Sequence, residues 1–219
     1  MHDTQQRHLI PALTHGVVLV REARAAASRG LLVGFHGYME TAAIQMERLQ
    51  AIPGSTMWTL VSIEALHRFY RGRTQDVVAS WMTRADREVA IADNLAYIGA
   101  ALDEVPHDSS TRIVYAGFSQ GVAMAFRAGL LGRDRAHGII AVGGDVPPEL
   151  LADPVLRYPS VFLARGVRDE WLTQATFDAD LAALAARGAA ARPVLYDGAH
   201  EWNVEVGGAA GEFLEWVAR

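Results

Sequence analysis

Residues 113–121, Ile-Val-Tyr-Ala-Gly-Phe-Ser-Gln-Gly, place a Gly-x-Ser-x-Gly pentad between two apolar runs. Ile113–Ala116 is short and β-branched, as a buried strand is. Gln120–Leu131 is long enough for a helix and rich in Ala, Met, Leu and Phe. A serine at such a strand–helix joint stands on a sharp, strained turn, clear of the sheet. Gly117 and Gly121 leave room for that turn and for the close approach of strand and helix. The helix start then offers the Gln120 N–H to a developing oxyanion. Ser119 is thus the candidate nucleophile, and the donor at Gln120 is its main chain rather than its side chain.

The same alternation extends outward in both directions. Gly16–Val20, Leu31–Phe35, Met57–Ile63, Gly138–Val142, Ser160–Ala164 and Pro193–Tyr196 read as further strands. Most are apolar throughout, which suits parallel strands covered on both faces. Helices are expected at Thr41–Gln50, Arg84–Val105, Thr173–Arg187 and Gly207–Ala218. In the second of these Ile91, Leu95, Ile98, Leu102 and Val105 fall on one face, and Thr83 is the expected N-cap. The interval before Leu31 is too short for a crossover helix, so the first strand is expected at an antiparallel edge. Leu66–Ser80 is polar, Arg-rich and aromatic and reads as a long loop. Strand–helix alternation predicts an α/β fold with a mostly parallel sheet and helices on both faces, one domain over residues 1–219.

Composition removes many chemistries. The chain has 219 residues, 51% of them hydrophobic, with a formal charge of −5. A core burying roughly 70% of the unfolded surface is within reach at this length, and a mildly acidic chain is not expected to bind nucleic acid. Cysteine is absent, which excludes disulfides, thiolate metal sites and cysteine nucleophiles. All 20 basic residues are Arg, so Schiff bases and the Walker phosphate loop are excluded as well. No His-x-His, His-Glu-x-x-His or Gly-x-Gly-x-x-Gly occurs, and neither a metal nor any other cofactor is expected. Met1–Gln6 is polar and no window resembles a membrane span, so a cytoplasmic location is expected.

An activated serine needs a base and a group to orient it, and in this fold class they follow in the order Ser, acid, His. His200 lies just after the last strand, whereas His137 precedes its strand and belongs at the other end of the sheet. The acid is expected after Ser160–Ala164, where Asp169 is favoured; Glu170, Asp145 and Asp197 are the alternatives. A second oxyanion donor is expected from the early loop after Leu31–Phe35, where His36 and Gly37 support the loop and Tyr38 N–H donates.

Taken together, His36-Gly37, the GFSQG pentad, GVRD ending at Asp169 and GAH ending at His200 resemble the α/β-hydrolase fold. Within it the likeness is to the small carboxylesterases and acyl-protein thioesterases, with little or no lid domain, over about Leu31 to the C-terminus. The resemblance implies Ser119 as nucleophile, His200 as base, Asp169 as acid, and Tyr38 and Gln120 N–H groups as the oxyanion hole. The family commonly carries His-Gly-x-Gly-Asp, where this chain has His36-Gly37-Tyr38-Met39-Glu40. Tyr38, Met39, Phe69, Tyr70, Trp81, Met82 and Trp202 are candidate pocket residues, and Arg68, Arg71 and Arg73 are read as a solvated cluster. The expected activity is hydrolysis of a small-molecule carboxylic ester or thioester. The same triad acting on acyl-peptides, lactones or polyesters, and a non-catalytic binding protein of the same fold, are the rival readings.

Overall fold

The computed structural model describes residues 5–24 and 28–219; the first four residues of the polar start lie outside it. In chain order the elements are β1 (Val18–Arg21), β2 (Leu31–Phe35), α1 (Ala42–Ala51), β3 (Thr59–Ile63), β4 (His67–Tyr70), β5 (Val77–Ser80) and α2 (Arg87–Asp103). They continue with β6 (Ile113–Phe118), α3 (Gln120–Leu131), β7 (Gly138–Val142), α4 (Pro148–Ala152), β8 (Ser160–Gly166), α5 (Gln174–Ala186), β9 (Ala191–Tyr196) and α6 (Val204–Val217).

Seven strands form one sheet in the order β1-β3-β2-β6-β7-β8-β9. All neighbours are parallel except β1, which pairs antiparallel with β3. The expected antiparallel edge is therefore present, but β1 does not pair with the strand that follows it: β3, returning through α1, takes the place beside β2. The central strands β2, β6 and β7 are buried along their whole length, as their uniform apolarity predicted. Alternate residues feed two cores. Val33, Tyr115, Ile139 and Leu163 meet α2, α3 and α5 on one face. Leu32, Val114, Ile140 and Phe162 meet α1 and α6 on the other. The period-2 alternation of strand side chains is the cause.

Three local expectations fail. Leu66–Ser80 is a two-stranded hairpin, β4–β5, rather than a loop. His67, Arg68 and the turn residues 71–76 are exposed, while Val78, Ala79 and Ser80 are buried. The partner that stabilises it is remote in sequence, for Ala79 N–H donates to Glu40 O at 2.9 Å. Thr83 does not cap α2; its Oγ1 accepts from Ala85 N–H at 3.2 Å in a local turn. The helix starts after Asp86, which has a positive φ of 48°. α6 begins at Val204, earlier than the Gly-rich sequence indicated, because the Asn203 side chain accepts the Val206 N–H.

Candidate active site

β6 ends at Phe118 and α3 starts at Gln120, leaving Ser119 alone to make the turn. Its φ of 52° and ψ of −118° are strained for a residue with a Cβ. Both flanking glycines are sterically required. A Cβ at Gly117 would lie 2.4 Å from Gly121 O, and one at Gly121 would lie 2.1 Å from Phe35 O. Ser119 N–H is tied across to Val142 O on β7 at 2.9 Å, so the strained turn is anchored on the neighbouring strand.

The ends of β8 and β9 bring the other two side chains to Ser119. His200 Nε2 is 2.9 Å from Ser119 Oγ, and His200 Nδ1 is 2.9 Å from Asp169 Oδ2. An ionised carboxylate only accepts, so Nδ1 carries the hydrogen and Nε2 is left to accept the serine proton. The Asp169 side chain is 0% exposed. Its second oxygen accepts the N–H groups of Trp171 and Leu172 at 2.8 and 3.0 Å, which holds the carboxylate independently of His200. Arg165 donates to the main-chain oxygens of Leu172 and Asp169 at 2.8 and 2.9 Å and locks the same loop. The loop carrying His200 packs directly on this one, since a Cβ at Gly166 would lie 2.3 Å from Ala199 O. Of the alternative acids, Asp197 is 79% exposed and pairs with Arg168. Asp145 lines the adjacent cavity without reaching His200, and Glu170 is exposed. His137 sits at the start of β6, where its Nδ1 accepts the Ile113 N–H.

The loop after β2 forms the opposite wall. His36 is buried, accepts Ala65 N–H at Nε2 (3.0 Å) and donates from Nδ1 to Gly37 O (2.7 Å). Burial holds its pKa below the ordinary imidazole value, so it is a neutral brace. Glu40 accepts Gly37 N–H at 2.8 Å and both terminal nitrogens of Arg48 at 2.6 Å. Burial alone would raise the Glu40 carboxyl, but the Arg48 bonds and charge overcome it and hold it below the usual range. Arg48 in turn lies 4.1 Å over the ring of Phe118, which packs against His200 at 5.1 Å. Met39 N–H donates to Ala79 O at 3.1 Å. That leaves the Tyr38 N–H between two committed neighbours with no protein acceptor among the described residues.

Gln120 contributes more than its main chain. Its side-chain oxygen accepts Trp81 N–H at 3.0 Å, and its nitrogen donates to Met82 O at 3.0 Å. The sequence offered no sign of this grip on residues 80–82, because the two segments are forty positions apart. Trp81 Nε1 donates to His36 O at 2.9 Å, closing a ring of contacts from the elbow to the early loop.

A cavity of about 450 Å³ opens beside Ser119 and His200. Of the candidate pocket residues it is lined by Trp81 and Met82 alone. Tyr38 and Phe69 instead stack on each other at 5.7 Å, outside the cavity. Tyr70 is exposed, and Met39 is occupied with the hairpin, its carbonyl accepting from Arg71 at 2.8 Å. Trp202 packs on the α1/α6 side of the sheet. Arg68, Arg71 and Arg73 are all exposed, as read from the sequence, with Arg68 paired to Glu64 at 2.9 Å. Sequence reasoning missed Ala123 and Arg127 on α3, Arg84, Arg87 and Trp171, all of which line the cavity. Trp171, two residues beyond Asp169, is 83% exposed with its ring 6.0 Å from His200. Among the described residues no group of three or more His, Asp or Glu is placed to hold a metal ion.

The sequence profile of the phospholipase/carboxylesterase family matches residues 26–172. The chain belongs to this family. It is a hydrolase of the carboxylesterase and thioesterase type, with the α/β-hydrolase fold. Solved structures carry the same fold at low identity. Esterase PE8 superposes with a TM-score of 0.78 at 22% identity, covering 93% of this chain and 100% of that one. Acyl-protein thioesterase 2 of Zea mays gives 0.71 at 16%, covering 94% and 100%. The carboxylesterase of Bacillus cereus gives 0.70 at 15%, covering 92% and 94%. No curated protein sequence matches the chain significantly. No helix among the described residues is long and apolar enough to cross a membrane.

Proposed function

We propose that this family member hydrolyses a carboxylic ester or thioester through an acyl-enzyme on Ser119. The observation that carries the reading is the hydrogen-bonded chain Ser119–His200–Asp169, with both links at 2.9 Å. Nε2 of His200 takes the Oγ proton as Oγ attacks the carbonyl carbon. The electron pair displaced onto the carbonyl oxygen is held by the N–H groups of Tyr38 and Gln120. Collapse expels the alkoxide or thiolate, which takes the proton from Nε2. Water then attacks the acyl-enzyme, Nε2 takes its proton and returns it to Ser119 Oγ, and the free acid leaves. Asp169 keeps the imidazole in the required tautomer and stabilises the imidazolium.

A fluorophosphonate should label Ser119 and no other serine. Ser119→Ala should keep the fold and lower esterase kcat by about three to six orders of magnitude. Stoichiometric labelling of the Ala variant would sink the assignment.

A further inference from the structure

The cavity beside Ser119 carries far more positive charge than a hydrocarbon acyl chain calls for. Ala123 and Arg127 are four residues apart on one face of α3, Ser119 stands on the turn that leads into the helix, and all three line the cavity. Ala123 is small and keeps the groove open between the other two. At a rise of about 1.5 Å per residue, Arg127 lies about 12 Å beyond Ser119 along the axis, with its side chain tilted back toward it. Arg127 is 3% exposed. Its Nε and Nη2 both donate to a single oxygen, Glu149 Oε1, at 2.9 and 2.8 Å. Nη1 meets only the thioether of Met82 at 3.7 Å, a weak acceptor.

The surrounding charges leave that guanidinium undercompensated. Glu149 is shared, for its other oxygen accepts from Arg87 at 3.1 Å. Arg84 lines the same cavity and forms no ion pair among the described residues. Asp145 is the one acid in the lining. Three guanidinium groups thus face two carboxylates. A long alkyl chain laid in this groove would strip water from Arg84 and Arg87 and leave Arg127 Nη1 without a strong acceptor. A carboxylate returns charge-assisted hydrogen bonds in the geometry arginine favours.

We infer that the acyl part of the substrate carries a carboxylate a few bonds from the scissile carbonyl, held by Arg127 with Arg84 and Arg87. The inference rests on Ser119 being the acylated nucleophile. It concerns the acyl part because His200 must reach the leaving oxygen to protonate it. The leaving group therefore lies on the side of His200 and Trp171, and the acyl part runs the other way along α3.

The test compares mono-p-nitrophenyl adipate with p-nitrophenyl hexanoate, and the glutarate half-ester with the pentanoate, after subtracting uncatalysed hydrolysis. Wild-type kcat/KM should favour the anionic ester of at least one pair by about tenfold or more. Added salt should shrink the preference, and Arg127→Met should bring it to about one through KM. Because Arg127→Met strands Glu149 and can fail to fold, Arg84→Gln and Arg87→Gln at more exposed positions serve beside it. Each should lower the ratio severalfold. A wild-type ratio at or below one for both pairs overturns the inference, as does a ratio that survives in folded Arg127→Met. So does an equal preference for a carboxylate placed in the alcohol part. In those cases fluorophosphonate labelling at Ser119 still stands, and the proposed hydrolysis with it. Absence of both labelling and turnover defeats the two readings together.

Discussion

The two walls of the candidate active site are built on different principles. One wall carries Ser119, Asp169 and His200 on short loops at the ends of β6, β8 and β9, three strands of one parallel sheet. Main-chain hydrogen bonds hold it, among them Ser119 N–H to Val142 O, Val167 N–H to Tyr196 O and Arg168 N–H to Gly198 O. The other wall carries the loop 36–40, the β4–β5 hairpin and the segment 80–82. Two main-chain bonds between residues 39–40 and Ala79 join its loop to the hairpin, and side chains from further off supply most of the rest: Glu40 with Arg48, His36 with Ala65, Gln120 with Trp81 and Met82. A wall set by strand ends places single atoms, and losing one of them is expected to stop the proposed chemistry. A wall set by a mesh of side chains shares the load, so its removal is expected to be felt by degrees.

The sharpest break in that contrast is Asp169→Asn. It keeps the shape but disturbs the tautomer of His200, and kcat should fall by about 10² to 10⁴ with a smaller change in KM. Asp145→Asn and Asp197→Asn, at the same pH and with matched circular dichroism, should each stay within about tenfold. A large loss in either, with Asp169→Asn active, would move the acid elsewhere.

Next comes the single atom proposed on the meshed wall. Tyr38→Pro deletes a main-chain donor and should raise the barrier by about 2.7 to 4 kcal/mol. Thermal unfolding must accompany the kinetics, because proline also disturbs the loop. A well-folded variant with near-normal kcat would remove Tyr38 from the oxyanion hole.

Gln120→Ala tests the mesh itself. Its main-chain N–H survives, so kcat should fall by less than about tenfold. KM should rise as residues 80–82 lose their hold on the cavity wall. A loss of kcat as large as that of Tyr38→Pro would mean that the side chain acts on the reacting atoms, and the contrast between the walls would narrow.

The smallest effect is on stability. Asp180, behind the strand-end wall, accepts Val146 N–H at 2.9 Å. Burial first, then the charge of Asp145, pushes its carboxyl up to about 6. An acid raised in the folded state holds its proton there after the unfolded chain has lost it. Stability therefore falls as pH rises from about 4, the ordinary carboxylate value, through about 6. Asp180→Asn removes that fall, worth about 2 kcal/mol for a shift of this size, so its Tm relative to wild type should rise by about 4–8 °C between pH 4 and pH 7. An offset constant with pH would show that the carboxyl does not titrate in that window.

The strand-end wall was largely legible in the sequence, and the meshed wall was not. Gly117, Ser119 and Gly121 announce a steric need that exists within five residues, whatever the rest of the molecule does. Asp169 and His200 follow from chain order and from lying just past apolar runs, since parallel strands deliver their C-terminal ends to one edge. Trp202 misled because nearness to His200 in sequence did not set direction: α6 carries it to the other face of the sheet. Arg127 went unread because a helical register gains meaning only when one face is known to border the cavity beside Ser119.

Sequence alone thus determined the α/β layering, the elbow and the order of the three polar side chains, because backbone sterics and hydrophobic periodicity are local properties. Tertiary structure alone decided that residues 66–80 form a hairpin, that Gln120 grips Trp81 and Met82, and that the cavity is rimmed by arginines. Each of those depends on segments tens of residues apart coming together, Ala79 with Glu40, Gln120 with Trp81 and Met82, Arg127 and Arg87 with Glu149, and pairing over such separations leaves no periodic trace in the chain.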